Sequence, residues 1–168
     1  VNTTVNTVTG GTVQIGHPDS LLTNTLNFDV ISSVPFWNLD VANTYGKELL
    51  LGSPIISVRN DLTIRDSAVF NLNGNTLNLG GDLTIDGRFL TGNIGTRRFA
   101  FVGSSLSNPP TKQIQTVKIK RSNNEPFFDL AISKSDGGSV DLSTDPNYQN
   151  SNLIIRNTLE FSIGNTAI

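Results

Sequence analysis

Residues 70 to 85 read Phe-Asn-Leu-Asn-Gly-Asn-Thr-Leu-Asn-Leu-Gly-Gly-Asp-Leu-Thr-Ile. Apolar side chains fall on alternate positions in three bursts, Phe70 and Leu72, Leu77 and Leu79, then Leu83 and Ile85. That alternation is the period of a β-strand with one buried face. Between the bursts stand Asn73-Gly74-Asn75 and Gly80-Gly81-Asp82, residues that accept positive φ and turn the chain sharply. Strands this short bury little on their own, so stability must come from stacking many of them in a sandwich, a barrel or a coiled solenoid.

The same pattern extends in both directions. Leu39-Asp40-Val41, Leu62-Thr63-Ile64, Phe99-Ala100-Phe101, Val117-Lys118-Ile119, Leu130-Ala131-Ile132, Val140-Asp141-Leu142 and Phe161-Ser162-Ile163 all alternate, and helical periodicity is almost absent. A longer regularity overlies it. Residues 35–74 align with residues 126–165 at an offset of 91, with no gap and nine identities. Pro35 and Phe36 meet Pro126 and Phe127, Leu39 meets Leu130, Leu62 meets Leu153, Arg65 meets Arg156 and Phe70 meets Phe161. Apolar triplets spaced every seven to thirteen residues from Leu39 to Phe89 predict two or three strands per coil of roughly 20 to 25 residues. The expected fold is therefore all-β, a right-handed parallel β-helix of about seven coils stacked ~4.8 Å apart, with a β-sandwich as the alternative. The Asn-Gly turn at 73–75 would supply the sandwich with a hairpin. The chain is expected to be a single solenoid segment over 1–168 and, starting at Val1 with no signal-like stretch, a fragment of a longer protein.

Composition narrows the chemistry. With no cysteine there are no disulfides, no thiol nucleophile and no Cys-based metal site, and His17 is the one imidazole. A net charge of -2 gives no basic field for nucleic acid or anionic lipid, and no apolar run approaches the roughly 20 residues of a membrane helix. Asn (20), Thr (18), Ser (16) and Gly (15) outweigh the charged residues, which form 15% of the chain; such a polar, weakly charged surface suits an extracellular protein and outward Asn/Thr ladders.

The candidates for chemistry are few. His17 and Asp19 in Gly-His-Pro-Asp read first as a polar turn. Asp61, Asp66, Asp82 and Asp86 cluster in the best-patterned stretch and would suit Ca²⁺, but their spacing is neither an EF-hand nor a calcium β-roll, and turn roles are the expectation. No cofactor is expected beyond that weak Ca²⁺ signal. A polysaccharide lyase would need a base beside a carboxylate clamp, for which Arg59, Arg65 and Arg88 with Asp66 and Asp86 are the available groups. Arg65 recurs as Arg156, which reads as a structural position, so no catalytic residue is assigned. Lys118, Lys120 and Arg121 read as a solvated sheet face, without the aromatic interleaving that nucleic acid binding uses. Phe36, Trp37, Phe127 and Phe128 are candidates to stack on sugar rings, with core packing as the stronger expectation.

The Phe-x-Asn-Leu-x-Val element at 36–41, Asn-Asp-Leu-Thr-Ile at 60–64 and the run from Phe70 to Ile85 resemble the repeats of large secreted Bacteroidetes proteins. The resemblance covers about Thr12 to Ile163, departing from the pattern at Asp129 and at Asn108-Pro109-Pro110. It implies a parallel β-helix of a cell-surface adhesin, exported by the type IX route, in a group that includes gliding-motility adhesins and polysaccharide-associated proteins. The expected function is a non-catalytic structural or adhesive segment, with a carbohydrate-binding or lyase-like module as the alternative. Expected partners are neighbouring repeats of the same polypeptide, then extracellular polysaccharide or the secretion machinery, with no nucleic acid and no membrane insertion.

Overall fold

A computed structural model describes residues 9–16, 28–42, 44, 47–92, 98–103, 112–120, 127–134, 138–148 and 153–163. His17, Asp19, Pro126 and the Asn108-Pro109-Pro110 run lie outside these residues. The described strands are β1 (Thr12–Ile15), β2 (Phe28–Val30), β3 (Asn38–Val41), β4 (Leu49–Leu51), β5 (Ile55–Val58), β6 (Leu62–Ile64), β7 (Val69–Asn71) and β8 (Thr76–Leu79). They continue as β9 (Leu83–Ile85), β10 (Arg88–Leu90), β11 (Phe99–Gly103), β12 (Ile114–Ile119), β13 (Phe127–Lys134), β14 (Ser139–Leu142) and β15 (Ile155–Ile163), with a short 3-10 turn at Pro146–Tyr148.

These strands form three sheets, in the orders β1-β3-β6-β9-β12-β14, β10-β7-β4-β2 and β15-β13-β11-β8-β5. Every described strand pair is parallel. The fold is thus a parallel β-helix, and the sandwich alternative, which needs antiparallel hairpins, is excluded. The turn at Asn73 and Gly74, with φ of 51° and 71°, is a corner and not a hairpin, because it joins β7 and β8, which belong to different sheets. Left-handed backbone is what lets three residues change the strand direction between faces. The first sheet has six strands among the described residues, close to the expected seven coils.

Register shows how the coils stack. In the first sheet Val13 lies beside Leu39, then Leu62, Leu83, Val117 and Leu142. In the third, Phe36 bridges to Val58, which continues through Leu79, Phe101 and Ile132 to Phe161. Side-chain bonds between equivalent corner residues span 26, 23, 21 and 34 residues along the chain, so coil length varies while the inward columns stay aligned. The offset of 91 runs across this geometry: it carries Leu39 of the first sheet onto Leu130 of the third, and Leu51 of the second onto Leu142 of the first. The stacking period is the coil.

The core is a filled axis. Leu39, Leu49, Leu51, Leu62, Ile64 and Leu77 are wholly buried in it. Aromatic packing concentrates in the C-terminal half, where Phe89 stacks on Phe70 at 5.6 Å and meets the edges of Phe99 and Phe127 at 5.2 and 5.8 Å. Such pairs add about 0.5–1.5 kcal/mol each beyond the area they bury.

Candidate functional site

Two features outside the core gather side chains from several coils. The first is a polar corner that runs along the edge of the first sheet. Immediately before each inward Leu stands an Asx residue, as in Asn38-Leu39, Asp61-Leu62 and Asp82-Leu83. Asn38 Oδ1 accepts the Asp61 N–H at 3.1 Å, Asp61 Oδ1 accepts the Asp82 N–H at 2.8 Å, and Asp82 Oδ1 accepts the Thr116 N–H at 2.9 Å. Each side chain therefore satisfies a backbone donor of the next coil where the chain turns out of the ladder.

Stacked carboxylates repel, and a lysine resolves this. Lys112 Nζ donates to Asp82 Oδ2 at 2.7 Å and to Asp61 Oδ1 at 3.1 Å. Partial burial opposes its charge, but hydrogen bonds and charge from Asp82 and Asp61 outweigh that and hold its pKa above the ordinary lysine value. Next to it the Lys134 amine, on a residue only 7% exposed, donates to the carbonyls of Lys112 and Gln113 at 2.8 and 2.7 Å. Burial lowers the Lys134 pKa to about 8 against the opposing pull of Asp82 and Asp141. The buried Gln115 side chain donates to the carbonyls of Leu79 and Gly81. Chemically this is a clamp for backbone.

The second feature is an open groove of about 400 Å³ on the outer side of the third sheet. Its floor carries Ser57 of β5, Asn78 of β8 and Val102 of β11; its wall is the Ser32–Pro35 loop, and Arg59 and Gly80 stand at one end. Ser53 fixes the wall by accepting the Ser32 N–H at 2.9 Å and donating to the Ser32 carbonyl at 3.2 Å. Backbone bonds from Phe36 N to Ser57 O and from Arg59 N to Phe36 O, both 2.9 Å, tie it to β5. Val34 and Ile55 are exposed along the rim. The size falls in the range of small-ligand sites, and the lining offers hydroxyl, amide and guanidinium groups beside aliphatic surface.

The aromatic candidates separate. Phe127 is buried among Phe89 and Phe99, so it packs in the core and is not available to stack on a sugar. Phe36 packs against the core beneath the groove wall, and Trp37 and Phe128 are half-buried. They are not brought together: Phe36 and Trp37 precede β3, whereas Phe128 belongs to β13.

Of the lyase candidates, Arg65 and Asp86 follow the register partners Ile64 and Ile85 on neighbouring coils. Arg65 forms a forked pair with Asp40, through Nε at 2.8 Å and through its terminal nitrogen at 2.6 Å, which raises its pKa. Asp86 accepts the Tyr148 hydroxyl at 2.8 Å, pinning the 3-10 turn against the helix. Arg59 lies at the groove, Arg88 is exposed on β10 and Asp66 is exposed beside Ser67, whose φ is 62°. Of the acidic residues considered for Ca²⁺, Asp61 and Asp82 hold an ammonium between them, and among the described residues no three His, Cys, Asp or Glu side chains come together. Sequence reasoning missed the groove residues, which follow no motif, and the Lys112 and Lys134 clamps. The turn roles expected of Asp61 and Asp82 agree with their place at this corner, but the ladder that joins them from coil to coil was not read from the sequence.

The fold and these sites define a parallel β-helix with a polar corner ladder and a lateral groove. No family model, curated protein or solved structure matches the chain. Among the described residues no helix is long and apolar enough to cross a membrane.

Proposed function

We propose that the chain is a non-catalytic structural and adhesive segment of a large secreted or cell-surface bacterial protein, exported by the type IX route. The observation that carries this reading is the way polar chemistry is used. Asn38, Asp61, Asp82, Lys112 and Lys134, and the amide nitrogen of Gln115, spend their polar groups on backbone or on one another across coils. A rod built so can lengthen by adding coils while its stiffness is kept, which suits a spacer that carries binding regions outward. The weakly charged Asn/Thr/Ser surface supports the extracellular placement.

Antibodies raised against the chain are expected to label intact source cells without permeabilisation; labelling only after lysis overturns the surface assignment. The groove favours one second reading, carbohydrate binding, because it sets hydroxyl, amide and guanidinium groups beside the aliphatic rim of Val34 and Ile55. A glycan array and an absorbance assay for unsaturated uronate product separate the two. The spacer reading expects neither retention nor turnover, whereas micromolar binding abolished by Asn78→Trp, which fills the groove floor, would establish the carbohydrate reading.

A further inference from the structure

The floor strands of the lateral groove, β5, β8 and β11, each have a paired neighbour on both sides, from Phe36 at one limit to β13 at the other, so the floor belongs to the closed middle of the rod. Ser57 and Asn78 are register partners on it. A hydroxyl and an amide therefore stand one above the other at a strand spacing of ~4.8 Å. The partner of Asn78 on β11 is the small Ala100, so this column carries no bulky side chain into the next coil. Along the rim Val34, Pro35 and Ile55 give aliphatic surface. Charge enters at one end alone: among the described lining residues Arg59 is the one that carries it. Asp61 and Asp82, the acidic residues nearest in sequence to Arg59 and Gly80, pair with Lys112 Nζ at the corner and line no part of the groove.

We infer that the groove binds an acidic oligosaccharide, with a uronate carboxylate on Arg59, ring hydroxyls on Ser57 and Asn78, and ring C–H faces against Val34, Pro35 and Ile55. Charge selects the acid. A guanidinium offers five N–H donors in a fixed fork, so Arg59 can take a carboxylate beside the contacts it already makes, and no acidic residue among the described lining opposes it. The floor selects a sugar over a peptide. An extended peptide gains its affinity by main-chain pairing along an open strand edge, but this floor is the face of a sheet whose backbone groups are already spent in the ladder. What remains is a hydroxyl and an amide repeated from coil to coil, which match a hydroxyl-rich chain, and an aliphatic rim that adds dispersion contacts with the rings. This inference rests on the carbohydrate reading of the groove given above and adds the charge of the sugar to it. Binding alone is inferred, with no bond made or broken.

Titration calorimetry of the 168-residue chain with uronate trisaccharides of the galacto, manno, gulo and gluco series, each beside its methyl ester, tests it. The ester keeps the rings and hydroxyls and removes the charge. At least one acid is expected to bind in the micromolar range, about tenfold more tightly than its ester, and to weaken as salt is raised. Arg59→Gln should remove that preference, with circular dichroism confirming the fold. Should Arg59→Gln not fold, Val102 decides. This half-buried groove residue follows Phe101 as Gly80 follows its register partner Leu79, which sets it at the Arg59 end. Val102→Glu should weaken binding of the acid and Val102→Lys strengthen it, each severalfold, with the ester unmoved in both. Equal binding of an acid and its ester, or an acid indifferent to these changes, overturns the inference and leaves the carbohydrate reading standing. Binding of none of the acids also overturns it, and the glycan array of neutral sugars then decides the carbohydrate reading by itself.

Discussion

Lys134 places an ammonium where the coil stack gives it two carbonyls and little water. Its pKa of about 8 in the fold, against 10.5 ordinarily, sets a sign. Below pH 8 the amine is charged in both the folded and unfolded chain, and burial of that charge works against folding throughout. Between about 8 and 10.5 the folded chain has released the proton and the unfolded chain still holds it, so stability rises with pH. Tyr148 acts in the opposite sense at higher pH. Burial and the carboxylate of Asp86 raise its pKa to about 12, so above pH 10 the unfolded chain ionises first and stability falls. Urea midpoints should therefore climb from pH 8 to 10 and turn down beyond it, and Lys134→Met should remove the climb; a flat profile in the parent chain would contradict this assignment. Gly81 is decided by space. A Cβ there would lie 2.4 Å from the Asn60 carbonyl and 2.6 Å from Asp61 Oδ1. Gly81→Ala should cost about 1–3 kcal/mol in denaturant unfolding, as overpacking against backbone does, whereas Gly10→Ala, which meets nothing within 4 Å, should be close to neutral.

At the scale of single coils and corners, the informative element is Asp82-Leu83-Thr84-Ile85. Asp82 serves two partners, the Thr116 N–H and Lys112. Asp82→Ala removes both and should destabilise by about 1–3 kcal/mol, the range for leaving a donor at a partly buried site without its acceptor. Asp82→Asn should lose less, since Asn38 already performs the same backbone task with an amide oxygen. Equal losses from the two changes, read by chemical denaturation, would show that charge and not the acceptor is what matters. The strand in this element was legible because Leu83 and Ile85 alternate with Thr84, and so was its Asx corner. β5 was not, since Ile55-Ile56-Ser57-Val58 sets two apolar residues side by side and one of them, Ile55, faces outward at the groove. β10 escaped for a related reason: in Arg88-Phe89-Leu90 only Phe89 faces the core. Phe127, for which the sequence makes core packing the stronger expectation, is buried against Phe89 and Phe99.

For the whole molecule, the sequence carries the period of a strand but not the sheet it joins. Every inward position looks alike whether it lies in the first, second or third sheet, which is why an offset of 91 can align Leu39 with Leu130 across two different faces. The distinction between coil and repeat has a direct consequence, because deleting one whole coil keeps the phase of all three sheets and deleting part of one destroys it. Leu62 to Asp82 is such a coil: Asp61 and Asp82 are 21 residues apart, and each is followed by Leu-Thr-Ile. Removing residues 62–82 joins Asp61 to Leu83 and leaves the local sequence Asp-Leu-Thr-Ile unchanged. β9 then lies where β6 lay beside β3, β10 comes beside β4 and β11 beside β5, and Lys112 retains Asp61 as its carboxylate partner. Neighbouring-coil coupling makes such an array tolerant of whole-unit changes, so this variant should keep its β-strand circular dichroism and unfold in one cooperative step at lower denaturant. Removing only residues 62–71 takes out β6 and β7 but keeps β8, presenting a third-sheet strand at a first-sheet position. That shorter deletion should abolish cooperative unfolding although it removes fewer residues. If instead the two deletions were destabilised in proportion to their length, the coil would not be the unit in which this chain folds.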